Sequence, residues 1–203
     1  MISILNYGIG NVKAFSNIYK CLNFDVQIAS TKSELNNSSK IIFPGVGSFD
    51  WAMQKLEESD LRTTLENKVK SEKIPVLGIC IGMQMMANKS QEGKFKGLGW
   101  INSEIVHFSK KYDMSAFPLP HMGWNTVISK ENSKLFKNLQ KAKFYFLHSY
   151  HAICKDERNI TSFSNYNFNF AASFEEENIF GVQFHPEKSH KAGIQLLKNF
   201  GEL

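Results

Sequence analysis

A chain of 203 residues that is 42% apolar can bury a full hydrophobic core without disulfides or a structural metal, and one domain over residues 1–203 is expected. The net charge of +5 is modest and the lysines are dispersed, with no basic stripe interleaved with aromatics, which argues against a nucleic-acid partner. No apolar run approaches the ~20 residues of a membrane span, so no membrane partner is expected, and three scattered cysteines, Cys21, Cys80 and Cys154, make no disulfide framework and fit a reducing cytoplasm.

The opening Met1-Ile2-Ser3-Ile4-Leu5 has no basic leader region and reads as a first strand. A glycine turn, Asn6-Tyr7-Gly8-Ile9-Gly10-Asn11, leads into a helix over 11–22 with Val12, Phe15, Ile18, Tyr19 and Leu22 on one face. Two glycines at that spacing fall far short of a phosphate-binding fingerprint. Strands follow at Phe24 to Ala29 and at Lys40 to Phe43. The loop Pro44-Gly45-Val46-Gly47 comes next; read alone it is an ordinary turn, but it is free of large side chains and able to turn N–H groups toward a site at the strand's carboxyl end. A helix over 50–70 and a buried strand from Ile74 to Ile79 complete an alternation of β and α. That alternation predicts a parallel sheet with helices on both faces, where ligands sit at the carboxyl ends of the strands.

The second half changes character. Trp100 to Phe108, Gly123 to Ile128, Lys143 to Ile153, and Phe170 to Phe174 read as strands, several of them alternating, and 109–120 as a loop. Ile179 to Phe184 is a further strand, and 190–201 a final helix with Gly193, Leu196, Leu197 and Phe200 on one face. The expected class is α/β: a mainly parallel central sheet with helices on both faces and an added antiparallel portion.

The chemistry is concentrated at Gly78-Ile79-Cys80-Ile81-Gly82, between the fourth strand and a helix opening at Met83-Gln84. A lone cysteine is ordinarily a small buried hydrophobe. Here two glycines flank it at a strand-to-helix turn, the spacing of a nucleophile elbow with sulfur in place of oxygen. The turn lifts the side chain clear of the sheet, and the N–H groups opening the helix favour a thiolate and a later oxyanion. His185-Pro186-Glu187 follows a strand directly, and proline keeps that stretch out of a helix. Cys80, His185 and Glu187 can therefore serve as nucleophile, base and orienting acceptor. His148 and His151, three apart in one expected strand, point to opposite faces, and the cysteines have no zinc spacing. No metal and no cofactor are expected.

Several stretches carry a resemblance. They are Tyr7 to Asn11, Pro44 to Phe49, Leu77 to Gln84, Gly97 to Trp100, Pro120-His121-Met122-Gly123-Trp124-Asn125, Phe146 to Tyr150, and Gly181 to Ser189. The chain resembles the class I, triad-type glutamine amidotransferases over its whole length, and within them the glutaminase subunits of imidazole glycerol phosphate synthase. The resemblance implies a flavodoxin-like α/β fold, glutamine hydrolysis on the Cys80-His185-Glu187 triad, and an oxyanion held by the Ile81 N–H and the Gly45-Val46-Gly47 loop. It implies that Gln84, Glu92 and the His148-Ser149-Tyr150 backbone hold the α-groups of L-glutamine. It also implies a heterodimer with a cyclase-type synthase subunit, docked over Tyr7, Gly8, Asn11, Trp124 and Lys188 and receiving the ammonia. Asn6, Gln91 and His190-Lys191 depart from the histidine-branch pattern. Ser189-His190-Lys191 also resembles a paralogous branch that feeds sugar amidotransferases of surface-polysaccharide pathways. A catalytically silent scaffold is the alternative of another class.

Overall fold

The computed structural model describes residues 1–110 and 113–203. The chain opens with β1 (Ile2–Leu5), α1 (Val12–Cys21) and β2 (Val26–Ala29). The side chain of Asn11 caps α1 by accepting from the Ala14 N–H at 3.3 Å, and Phe15 and Tyr19 on its inner face are buried. A five-residue helix, α2 (Lys32–Asn36), is too short to show periodicity, but Thr31 and Glu34 close a reciprocal capping box around its start. Next come β3 (Lys40–Gly45) and α3 (Phe49–Glu58).

The single helix expected over 50–70 is broken. After α3 the chain turns through Asp60 at φ +58° and resumes as α4 (Arg62–Glu66), which runs into a wider turn over Asn67–Ser71. The Ser59 hydroxyl donates to the Leu56 carbonyl at 2.7 Å and accepts from the Leu61 N–H at 3.3 Å. It thus takes over backbone groups that a continuing helix would pair.

β4 (Val76–Cys80) and α5 (Ile81–Met85) form the elbow. Two further strands, β5 (Lys89–Ser90) and β6 (Ser103–His107), follow, and then β7 (His121–Ser129). The described part of the expected loop, 113–120, contains neither helix nor strand, and Lys111 and Tyr112 lie outside the described residues. The strand expected from Lys143 to Ile153 is two strands: β8 (Lys141–His148) pairs with β7, and β9 (Tyr150–Cys154) pairs with β6, the chain switching partners at Ser149. β10 (Ile160–Tyr166) went unpredicted, because buried serines disguise it: Thr161 and Ser162 bond to Ser173 at 2.8 and 2.6 Å across the strands. β11 (Phe168–Glu176), β12 (Ile179–Val182) and α6 (His190–Gly201) complete the chain.

The described strands form one sheet with the order β2-β1-β3-β4-β12-β11-β10-β7-β8; β9 joins β11 to β6, and β5 edges β6. From β2 to β12 the pairing is parallel, and from β12 to β8 antiparallel. This is the expected class. Phenylalanines tie the two halves together: Phe184, just past β12, stacks on Phe144 of β8 with ring centroids 4.0 Å apart. Such stacking adds to the burial of both rings and fixes the end of β12 against β8, where the candidate base sits. Among the described residues no helix is long and apolar enough to cross a membrane.

The register of the parallel core sets up the site. Gly45 pairs with Cys80, and Ile79 with Val182, so the ends of β3, β4 and β12 lie side by side. Gly82 is what lets β3 come this close: a β-carbon there would stand 2.0 Å from the Phe43 carbonyl oxygen. A Gly82→Ala variant must push β3 away from the elbow. The expected cost is about 3 kcal/mol or more, a fall in Tm of roughly 6–12 °C for a chain of this length. Thermal melts followed by circular dichroism measure it; an unchanged Tm would mean that the elbow and β3 are less tightly joined than this.

Candidate active site

Cys80 closes β4 with φ +54° and ψ −110°, a backbone conformation seldom adopted by residues with a β-carbon. Strain of this kind persists only where the surroundings enforce it. Here Gly78 and Gly82 allow the crowding: a β-carbon at Gly78 would lie 2.8 Å from the Met83 backbone nitrogen. The thiol is 5% exposed, at the floor of a cavity of about 300 Å³.

His185 stands beside it. Its backbone N–H donates to the Tyr145 carbonyl at 2.9 Å, and its own carbonyl accepts from the Ser189 hydroxyl at 2.6 Å. The ring's Nδ1 lies 2.9 Å from Glu187 Oε1, and both side chains are buried. Burial opposes a charge on the imidazole. Hydrogen bonding to Cys80 and Glu187, with the negative charge on each, outweighs it and pushes the His185 pKa up to about 10. The ring is therefore poised to hold a proton beside the sulfur at neutral pH.

The sites expected from the sequence converge around this pair. Val46, Gly47, Ile81, Gln84, Glu92, His148, Ser149, Tyr150 and Lys188 line the cavity together with Cys80 and His185. Glu187 lies behind His185 and not on the wall, as suits an orienting acceptor, and Gly45 is built into β3 opposite Cys80. Gly47 takes φ +89° in the loop above the thiol. Glu92 accepts from the Phe49 N–H at the start of α3 at 2.8 Å, which ties the cavity's acidic wall to that helix. Burial raises the Glu92 pKa, the Phe49 N–H opposing it.

Tyr7 departs from expectation. Its side chain is buried, with the hydroxyl donating to the Pro44 carbonyl at 2.7 Å, so it braces the glycine loop from inside and offers no outer surface. Its neighbours Gly8 and Asn11 are exposed. Trp124 is 46% exposed and stacks on His190 with centroids 5.0 Å apart, and the Lys188 ammonium lies 5.6 Å from the Tyr145 ring centre. Met122, 64% exposed, and Leu147 pair across β7 and β8 and extend this apolar face to the cavity, which Leu147 also lines.

Sequence reasoning missed Gln183 as a site residue. Its amide Nε2 faces the Cys80 sulfur at 3.8 Å, and its Oε1 accepts from Gln84 Nε2 at 3.0 Å. Gln84 Nε2 also reaches the Tyr150 carbonyl at 3.4 Å, which leaves the buried Gln84 Oε1 with no hydrogen-bond partner. The available signal was a glutamine inside an otherwise apolar run, Ile179 to Phe184, where a buried polar group needs a reason. Among the described residues no three His, Cys, Asp or Glu side chains are grouped to hold a metal ion.

A family model described as glutamine amidotransferase class-I matches residues 4–202. The chain is 50% identical to the imidazole glycerol phosphate synthase subunit HisH of Leptospira interrogans, over 100% of both chains. It is 48% identical to the HisH subunit of Bdellovibrio bacteriovorus, again over 100% of both. Among solved structures, a GMP synthase subunit of Thermoplasma acidophilum shares the fold with a TM-score of 0.74 at 20% identity, covering 99% of this chain and 92% of that one. With an elbow cysteine, a buried His-Glu pair and these relatives over its full length, the chain belongs to the class-I glutamine amidotransferases, in their HisH branch.

Proposed function

We infer that the chain hydrolyses L-glutamine on Cys80, His185 and Glu187 and delivers the ammonia to a cyclase-type synthase subunit, with which it forms a heterodimer in the cytoplasm. The observation that carries this reading is the strained Cys80 turn at φ +54° facing a cavity beside the 2.9 Å His185–Glu187 pair. The Cys80 sulfur attacks the side-chain amide carbon. The carbonyl π pair moves to oxygen, and His185 holds the proton taken from the thiol. The C–N bond then breaks, the nitrogen leaves with that proton as ammonia, and a γ-glutamyl thioester remains. Water, deprotonated by His185, attacks the thioester, the C–S bond breaks, and glutamate departs with the thiol restored.

The oxyanion of both tetrahedral intermediates would rest between the Ile81 N–H and an N–H of the Gly45-Val46-Gly47 loop. One donor of this kind is worth ~3–4 kcal/mol. The unpartnered Gln84 Oε1 suits the substrate's α-ammonium, with Glu92 supplying negative charge and the His148-Ser149-Tyr150 backbone the remaining contacts. Glutamate and ammonia are complete products, so neither metal nor cofactor is required.

The synthase subunit would dock over Gly8, Asn11, Met122, Trp124, Leu147 and Lys188, a face continuous with the cavity. His190, one of the departures from the family pattern, packs on Trp124 within that face and so bears on docking and not on the triad. The names of the HisH relatives support the histidine branch over the sugar branch as the ammonia acceptor.

The test is steady-state glutamate release by the purified chain, alone and with the cyclase subunit encoded in the same genome. Slow turnover alone and a stimulation of at least about tenfold with cyclase and its acceptor are expected. That corresponds to ~1.4 kcal/mol of barrier, less than one oxyanion donor supplies. Equal and rapid release with or without the cyclase would refute the coupling. No release under any condition would leave a silent scaffold.

A further inference from the structure

The cavity wall at Tyr150 is held by a chain of side chains that runs away from the substrate space. His148 Nδ1 lies 2.7 Å from the Tyr150 carbonyl oxygen, bridging the kink at Ser149 where the chain leaves β8 for β9. A carbonyl only accepts, so Nδ1 carries the proton. In a neutral ring Nε2 is then bare and needs a donor. His121 Nδ1, 2.9 Å away on the paired residue of β7, supplies it. His121 Nε2 must then accept, and Asn125 Nδ2 stands 3.2 Å from it.

The far end cannot be reversed. Asn125 Nδ2 also donates to the Asn165 carbonyl at 2.7 Å, while Asn125 Oδ1 accepts from the Thr126 N–H at 2.7 Å, so its amide has one orientation. Every donor therefore points the same way: Asn125 to His121, His121 to His148, His148 to the Tyr150 carbonyl. Aromatic neighbours hold the rings in place. His121 stacks between Phe146 and Tyr166, with centroids at 4.8 and 4.2 Å, and His148 lies against Phe108 and Phe170 at 5.2 and 5.3 Å. Burial keeps both rings neutral, lowering the His121 pKa to about 4 and that of His148 well below its usual value, with His121 adding to the latter.

We propose that His121 is a positioning residue of the glutamine site: one ring behind the cavity wall, it locks His148 in the tautomer that clamps the Tyr150 carbonyl and so fixes the His148-Ser149-Tyr150 backbone. The same carbonyl accepts from Gln84, so its position also sets the direction of the Gln84 amide and of the acceptor oxygen facing the α-ammonium. His121 itself touches neither the cavity nor the triad. The proposal rests on the reading of this cavity as a glutamine site.

The experiment has two readouts. Nitrogen-15 NMR of the histidine rings in the full chain at pH 7 should show both His121 and His148 neutral, protonated at Nδ1 and bare at Nε2. Calorimetric titration with L-glutamine, in a Cys80→Ala background so that nothing turns over, should show that His121→Phe weakens binding by about tenfold, in line with loss of one buried hydrogen bond. In that variant the His148 ring should become a mixture of tautomers. His121→Asn, which keeps a donor near the position of Nδ1, should restore most of the affinity and the single tautomer. Asn125→Ala, at a half-exposed position, applies the same test from the other end should His121→Phe not fold; it should mix the His121 tautomers and weaken glutamine binding. A His148 ring protonated at Nε2 in the parent chain overturns the proposal. So does a folded His121→Phe or Asn125→Ala variant with unchanged tautomers and affinity. If the tautomers are as expected but the parent binds no glutamine, the substrate reading fails and the relay stands.

Discussion

Cys80→Ala is expected to reduce glutamate release by the chain with its synthase partner by at least about 10⁴-fold, the scale of losing the nucleophile from a cooperating triad. The reason is positional. The sulfur sits at the end of β4, at the cavity floor, and is the atom that His185 and Gln183 face. Alanine retains the β-carbon, so the φ of +54° at this position is neither relieved nor worsened. Stability should therefore change by only about 1 kcal/mol, within the usual range for a small truncation. Steady-state kinetics and a thermal melt on the same preparation separate the two effects. A glutamine-analogue electrophile should label Cys80 and spare the other thiols. Burial pushes the Cys154 thiol up to about 12, with Glu176 and Asp156 adding to it, and Cys21 lies outside the cavity. Near-normal turnover in the alanine variant would end the nucleophile assignment.

His185→Ala should cost about 10³–10⁵-fold, because base and nucleophile act as a unit and removing either disables both. Glu187→Gln is expected to cost roughly 10²-fold. The 2.9 Å contact to His185 Nδ1 can still be made by the amide oxygen, which preserves the ring's direction. What is lost is the negative charge that helps hold the ring's proton, the smaller part of a pKa raised by Cys80 as well as by Glu187. The amide also puts a donor where Glu187 Oε2 is buried without a partner, which adds a desolvation cost to the variant. Glutamate release at saturating glutamine, measured for both variants with partner and acceptor present, gives the ranking. A Glu187→Gln loss as deep as that of Cys80→Ala would make the carboxylate part of the reacting unit and not its support.

What the sequence by itself determined was the chemistry that local backbone geometry demands. A cysteine between two glycines at a strand-to-helix turn needs the positive φ found at Cys80 and the close approach found at Gly82. His-Pro-Glu after an apolar strand keeps imidazole and carboxylate within 2.9 Å of each other. The β-α alternation of the first ninety residues placed the ends of β3 and β4 side by side, and the periodic face of α6 was legible to the residue. Each of these is a requirement met within about ten residues of chain. The tertiary structure decided the rest, because it depends on which strands pair and in what register. Only the β7–β8 register brings His121 to His148, and only β12 lying against β4 brings Gln183 to Cys80 and Gln84. Lys143 to Ile153 reads as one strand because its alternation runs straight through, but Ser149 is where pairing passes from β7 to β6. Tyr7 reads as a surface residue in a glycine loop, and turns inward because the Pro44 carbonyl of a separate strand accepts its hydroxyl. Hydrogen bonds between residues 27 to 103 positions apart leave no periodic mark on either segment, so they are seen only once the sheet is assembled.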